Sequence, residues 1–218
     1  YGEYYNERLL RLVLDHYPIV LVDRYLRGIP ATSVCTDNRR AAEDLTNYLI
    51  GLGHRHFAFI TPPPAGTSSI EDRLLGIVTA LAEHGLQFNG EEDVIHAHFT
   101  LPGALTPATQ NIEVDARALR AYALSHPHVT AYIACEQPMA LLALRELAAI
   151  GWAVPANCAI ACFDSPHSLL DGAPITYIEQ EEESMGCEAV ALLLAQVEGR
   201  EAPLHVATPH QLVHGQST

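Results

Sequence analysis

The sequence predicts an α/β protein built of parallel sheets covered by helices, as one large or two small domains. Short runs rich in Val and Ile alternate regularly with stretches of helical period, which is the grammar of parallel strands joined by crossover helices. A chain of 218 residues with 49% hydrophobic residues can bury a full core. Neither a repeat of solenoid period nor a low-complexity linker divides it.

Taken in order, Glu7 to His16 has helical spacing, with Leu9, Leu10, Val13 and Leu14 on one face and Pro18 as the stop. PIVLVD reads as a buried strand and SVCTD as a second. Asp37 or Asn38 caps the next helix, whose Ala41, Leu45, Tyr48, Leu49 and Leu52 share a face, and Gly53 stands where a left-handed residue ends it. HFAFI is the following strand. Ser68 and Ser69 stand three residues before Glu71 and Asp72, the spacing of a capping box, and open a helix that stops at Gly85. From Gly90 to Glu113 the chain is rich in Pro, Gly, Thr and Asn and reads mostly as loop, with VIHAHF as its one strand-like piece. DARALRAYAL, TAYIAC, PMALLALRELAAIG, CAIACF, ITYIEQ and CEAVALLLAQVEG then alternate helix and strand. The opening GEYYNERLLRLVLDHYP reads as a helix that needs something to pack against, so the chain is expected to be a fragment or a processed product.

The charge of −14, from 26 acidic and 12 basic side chains, repels phosphate backbones, so this chain alone is not expected to bind nucleic acid. All twelve basic residues are arginine. Without lysine, Schiff-base chemistry, the Walker phosphate loop and the strand lysine of protein kinases have no residue to work with. The five cysteines are odd in number and mostly set in apolar runs, which fits buried thiols in a reducing cytosol better than a disulfide framework. No stretch is long and apolar enough to cross a membrane.

The candidate chemistry is sparse. The glycines of GLGHRH fall at a helix end rather than between strand and helix, so they read as a stop signal and not as a dinucleotide loop. His54 with His56, and His96 with His98, alternate as strand neighbours would, but no carboxylate or cysteine stands at ligand-like spacing, and no metal site is expected. No serine or cysteine lies in a nucleophile elbow. EEES, residues 181–184, is the acidic first turn of a helix. What remains are polar residues at strand ends: Asp23 after PIVLVD, Glu136 and Gln137 after TAYIAC, Asp164 after CAIACF, and Gln180 at the end of ITYIEQ. In parallel sheets that edge is where ligands bind. Arg73 opens a helix after a Ser-rich loop, where its planar fork can hold two hydroxyl oxygens or a carboxylate. Each residue alone could be a cap or turn residue. Carboxylates, amides and an arginine without a nucleophile are what a sugar needs, since hydroxyls both donate and accept.

PIVLVDRYLRGIPATSVCTDNRRAAEDLTNYLIGLGHRHFAFITPP, EDRLLGIVTALAEHGL, TAYIACEQPMALLALRELAAIGWAVPANCAIACFDS and ITYIEQEEESMGCEAVALLLAQVEG resemble, in order and spacing, consecutive blocks of the effector-binding domain of LacI-type repressors, over nearly the whole chain. The wording around GEYYNERLLRLVLDHYP further resembles the variant in which this sensor follows a GntR-type winged helix, as in arabinose-responsive repressors. The resemblance implies a periplasmic-binding-protein-like fold of type I, with two parallel-sheet lobes, helices on both faces and a ligand between the lobes. Residues 1–37 and 181–218 would form an incomplete N-terminal lobe and residues 38–180 the C-terminal lobe. The family's ligand arginine falls on Arg73, its pocket aspartates on Asp23 and Asp164, its serine on Ser69 and its ring-flanking aromatic on Phe99. The usual Asn-Asp pair is replaced by Glu136 and Gln137, which rearranges donors and acceptors and leaves the sugar's identity open.

The expected function is a non-enzymatic, cytoplasmic ligand-sensing domain of a bacterial transcriptional regulator. It would bind a pentose such as L-arabinose without a cofactor, form a homodimer and reach DNA only through an upstream domain. A periplasmic sugar-binding protein would share the pocket. An enzyme using Asp164 or Glu136 as base, and a vestigial pocket serving only assembly, are the other readings.

Overall fold

A computed structural model describes residues 7–63, 67–98, 108–164 and 175–218. Its first part is small. Helix α1 (Glu7–Leu14) leads to strands β1 (Val20–Val22) and β2 (Thr32–Thr36), which pair in parallel with Val20 opposite Thr32. Near the other end of the chain, helix α6 (Glu182–Val197) and strand β8 (His205–Thr208) return to this unit, and β8 adds to the far side of β2 in the order β1-β2-β8. Met185, Ala189 and Leu192 follow one another at intervals of four and three on α6 and bury against Val34. With Ala31, Cys35 and Ala195, these are the buried apolar residues of the smaller unit among the described residues. The expected apolar face of α1 is not buried: Leu14 is 61% exposed. A second apolar stripe of α6, with Val190, Leu194 and Val197, is also open to solvent.

The larger unit is a six-stranded sheet of order β4-β3-β5-β6-β7-β9. Helix α2 (Asn38–Gly51), strand β3 (Phe57–Thr61), helix α3 (Ser68–Glu83) and strand β4 (Val94–His96) come first. Helix α4 (Ala108–Ser125), β5 (Ala131–Ala134), α5 (Gln137–Ala149), β6 (Ala159–Phe163) and β7 (Thr176–Gln180) follow. All neighbours are parallel except the last, β9 (His210–Val213), which runs antiparallel to β7. Every residue of β3, β5 and β6 is buried, as expected of parallel strands covered on both faces.

Local signals explain most boundaries. The Asp37 side chain accepts from the amide of Arg40 at 3.0 Å and caps α2, and Gly53 takes φ 104° after its end. The capping box before α3 does not form. Thr67 is the N-cap and makes no side-chain cap bond, while Ser68 Oγ accepts from the amide of Tyr25 at 3.1 Å. Helix α4 begins within the stretch expected to be mostly loop.

The chain passes between the sheets three times, at Asp37, at Glu181 and at Pro209. The passages are tied together: the amide of Asp37 donates to the Thr208 carbonyl at 3.3 Å, and Gln211 Nε2 donates to Glu181 Oε1 at 2.8 Å. Sheet membership therefore departs from the expected division at the end of the chain, where β9 joins the larger sheet and not the smaller one.

Candidate functional site

Arg73 is the centre of the site. It lies in the second turn of α3, only 5% exposed, and is held from three sides. Its Nε donates to Asn38 Oδ1 at 2.7 Å, and Asn38 is fixed in turn by donating from Nδ2 to the Thr36 carbonyl at 3.1 Å. Its Nη1 donates to the Cys135 carbonyl at 2.7 Å, and its guanidinium carbon stands 4.2 Å from the centre of the Phe163 ring, a cation–π contact. Burial works against its charge, but Cys135, Asp164 and Asp23 favour it, and its pKa rises above the ordinary arginine value.

Two carboxylates face this cation from different sheets. Asp23 ends β1 and Asp164 ends β6. Both have left-handed backbones, with φ of 66° and 72°, a conformation that Asp adopts more readily than most residues. In both cases the amide still extends the strand ladder, Asp23 to the Val34 carbonyl at 2.9 Å and Asp164 to the Ile178 carbonyl at 3.1 Å, before the chain turns. Burial raises the pKa of Asp23, against the pull of Arg73 and Arg24, while the charge of Asp164 adds to the rise. Asp164 is oriented by Gln180, whose Nε2 donates to Oδ1 at 2.5 Å while its Oε1 accepts from Thr36 Oγ1 at 2.7 Å. That chain of bonds runs from β2 of the smaller sheet to β7 and on to the end of β6.

These groups line a cavity of about 80 Å³ together with Arg24, Thr67, Ser69, Ile70, Cys135 and Glu136. Of the residues expected from the sequence, Asp23, Ser69, Arg73, Glu136, Asp164 and Gln180 thus meet at one place. Gln137 does not line it: it is the first residue of α5 and is buried behind Glu136. Phe99 lies outside the described residues. Arg24, Thr67, Ile70 and Cys135 were not anticipated, although each adjoins a residue that was or, for Thr67, the serine pair of the helix entry. Asn38 was read only as a cap, and nothing in its spacing marks it as the partner of an arginine 35 positions later.

The remaining candidates do other work. His54 Nδ1 is 3.0 Å from Thr130 Oγ1, and the rings of His56 and His128 meet edge to face at 5.1 Å. His98 Nδ1 is 3.4 Å from Asp115 Oδ1. Among the described residues no group of three or more His, Cys, Asp or Glu is placed to hold a metal ion. Burial pushes the Cys35 thiol up to about 12 and the Cys158 thiol up to about 11, and raises Cys135 and Cys162 as well, so these four are neutral at pH 7. No helix among the described residues is long and apolar enough to cross a membrane.

Known proteins resemble the chain in sequence and in fold. The chain is 27% identical over 201 residues to the HTH-type transcriptional regulator MalR of Streptomyces coelicolor, covering 90% of this chain and 54% of that protein. It is 31% identical over 175 residues to the HTH-type transcriptional regulator AscG of Escherichia coli, covering 78% and 48%. The chain thus spans about half the length of these relatives. Among solved structures, the transcriptional regulator CelR in complex with cellobiose superposes with a TM-score of 0.75 at 28% identity, over 91% of this chain and 58% of that one. A structure described as a transcriptional regulator LacI from Bacillus cereus subsp. cytotoxis superposes with a TM-score of 0.82 at 26% identity, over 100% and 74%. Both relatives are described as transcriptional regulators. Residues 46–218 match the family described as periplasmic binding protein-like domain, and with more than half of its length so matched, the chain belongs to that family.

Proposed function

We propose that this chain is the ligand-sensing part of a bacterial transcriptional regulator and that it binds a small neutral sugar between its two sheets. The observation that carries the reading is the buried Arg73 set between Asp23 and Asp164, one carboxylate from each sheet. Nε and Nη1 of the arginine are engaged by the protein, which leaves Nη2 to donate to a hydroxyl, while the carboxylates accept from hydroxyls. Three carboxylates, Asp23, Glu136 and Asp164, stand against two cations, Arg24 and Arg73, and this balance disfavours a phosphorylated or otherwise anionic ligand. At about 80 Å³ the enclosed space is far below the roughly 300–1,000 Å³ of drug-sized sites, which supports a monosaccharide, with a pentose such as L-arabinose as the first to try.

In this reading residues 1–37 and 181–208 form one lobe and residues 38–180 and 209–218 the other, with Gln180 and Glu136 as further ligand contacts. Ligand binding closes the lobes and alters the geometry of a homodimer, and that change reaches DNA through a separate domain in the cytoplasm. A periplasmic binding protein would share the cavity, but the relatives that match are regulators.

The test is a thermal-shift screen against aldopentoses, hexoses and their phosphates, with Arg73→Ala and the milder Asp164→Asn in parallel. A ligand at a hundred times its dissociation constant adds about 2.7 kcal/mol of stability. The expected outcome is a shift with one neutral sugar that is lost in both variants. A shift with phosphates alone, or one that survives Arg73→Ala, refutes the reading.

A further inference from the structure

The loop after β1 does more than carry Asp23. Two residues beyond that aspartate, the amide of Tyr25 donates to Ser68 Oγ at 3.1 Å, and the Tyr25 hydroxyl lies 3.0 Å from both carboxylate oxygens of Asp72. Arg27 Nη2 is 3.0 Å from Glu71 and 3.7 Å from Asp72. Every one of these contacts joins the smaller sheet's loop to the first turns of α3, which belongs to the larger unit. The Thr36 to Gln180 bond also joins the two, but it sits within one residue of the crossings at Asp37 and Glu181. The contacts of Tyr25 and Arg27 are not adjacent in sequence to any crossing.

Their position on α3 has a regular form. Side chains four residues apart lie on one helix face, so Ser69 and Arg73 share one face and Ser68 and Asp72 share the next, about 100° around. Ser69 and Arg73 line the cavity. Ser68 and Asp72 receive Tyr25. One helix turn thus presents ligand groups on one side and docking groups for the opposite lobe on the other. The tyrosine is aimed by its ring, which meets His205 of β8 edge to face at 5.3 Å. Arg27 is 55% exposed, and a surface ion pair of that kind contributes little by itself. The hydroxyl bond to Asp72, whose side chain is 20% exposed, is the stronger link, because a hydrogen bond to a charged group gains strength out of water.

We infer that Tyr25 is a positioning residue: by clasping Asp72 and Ser68 it biases the two sheets toward the separation at which Asp23 and Arg73 line one cavity, so that the ligand has less of the closure left to complete. The clasp itself is independent of what the cavity binds; only its effect on affinity rests on the sugar-sensor reading. A groove of about 430 Å³ between Tyr25, Arg39, Asp72, Leu204 and His205 runs beside the clasp, so the loop is not packed into the core and can withdraw when the hydroxyl bond is lost.

The experiment uses the exposed Cys187 on α6 and an introduced Ala149→Cys at the exposed end of α5 as sites for a fluorophore pair, the other four cysteines being buried. Energy transfer between the pair reports the separation of the lobes without any ligand. Tyr25→Phe keeps the ring against His205 and removes only the donor. It is expected to lower the ligand-free transfer efficiency, and Asp72→Asn, which keeps an acceptor, to lower it less than Asp72→Ala. For the sugar scored in the screen, Tyr25→Phe is expected to weaken binding about tenfold, because binding then has further to close the lobes, and to reach the parent's transfer efficiency at saturation. Unchanged ligand-free transfer in a folded Tyr25→Phe overturns the clasp. Weaker binding with unchanged ligand-free transfer overturns it too, since the tyrosine would then act on the ligand directly. If no sugar binds, the ligand-free measurement still decides the clasp, and the sensor reading fails separately.

Discussion

Asp23 and Asp164 line the cavity around the same arginine, and burial raises the pKa of Asp23 above the ordinary 3.8. For the ligand-free protein the sign is as follows. A carboxyl whose folded pKa exceeds its unfolded value binds its proton more readily when folded, so this group makes the fold more stable as pH falls through the raised pKa, with the gain complete below 3.8. Ligand binding runs the other way, because a sugar hydroxyl donates to the carboxylate and not to the protonated acid. Affinity for the sugar is therefore expected to fall on acidification in a window that opens above pH 3.8, and Asp23→Asn is expected to flatten that dependence. Titration calorimetry of the two proteins from about pH 7 downward checks it; parallel pH slopes would show that Asp23 does not hold the ligand. The aspartates, the arginine and Ser69 were legible in the sequence because strand-end position and a known family pattern both marked them. Asn38, Thr67 and the bond from Thr36 to Gln180 were not legible, since each depends on which strand ends the fold brings together.

At the scale of elements, the placement of Arg73 rests on how closely α3 packs against α2. Gly76, one turn beyond the arginine, is where the two helices touch: a Cβ there would stand 2.3 Å from the Arg39 carbonyl oxygen and 2.7 Å from Ala42 Cβ. Because the nearest atom is backbone, no rotamer change relieves the clash, and α3 has to move. Gly76→Ala is expected to cost about 1–3 kcal/mol from overpacking, reduced by up to about 1 kcal/mol from the better helix propensity of alanine. Urea unfolding gives the stability, and the thermal-shift screen shows whether sugar binding weakens as Arg73 is displaced; a variant as stable as the parent would mean that the helices adapt. The sequence marked this helix and its neighbours through caps and period, as at Asp37, Gly53 and Gly85. It failed where local signals compete with packing. The Ser68 hydroxyl accepts from Tyr25 rather than closing a capping box, and the polar opening of α4 reads as loop although it is helical. Strands β8 and β9 carry too few apolar residues, with Pro209 between them, to be told apart by alternation alone.

The molecule as a whole is a chain that crosses between two sheets three times, and its last crossing makes the sheets interdependent. Strand β9 follows β8 directly but belongs to the other sheet, where it covers the edge of β7, with Leu212 opposite Ile178. The segment beyond it is sewn to the sheet: Ser217 Oγ donates to the Ile160 carbonyl at 2.6 Å and accepts from the Thr176 amide at 2.9 Å, while the His214 ring lies tilted against Tyr48 with centroids 4.6 Å apart. Removing residues 209–218 uncovers that edge, exposes Ile178, which is otherwise fully buried, and strips the five hydrogen bonds that Ile160 and Thr176 make with Gly215, Ser217 and Thr218. At about 1 kcal/mol for each of these hydrogen bonds and about 1.5 kcal/mol for Ile178, the deletion is expected to cost about 6–7 kcal/mol, a large part of the stability of a domain this size. Because Asp37 is tied to Thr208, and Glu181 to Gln211, the smaller sheet is expected to loosen with the larger one. Urea unfolding followed at once by far-UV circular dichroism and by a fluorophore on Cys187 of α6 tests both parts. Coincident transitions at a lower midpoint are the expected result. A deletion that leaves the midpoint unchanged, or moves only the circular dichroism signal while the α6 probe stays put, would show that the two sheets fold as separate bodies joined by passive crossings.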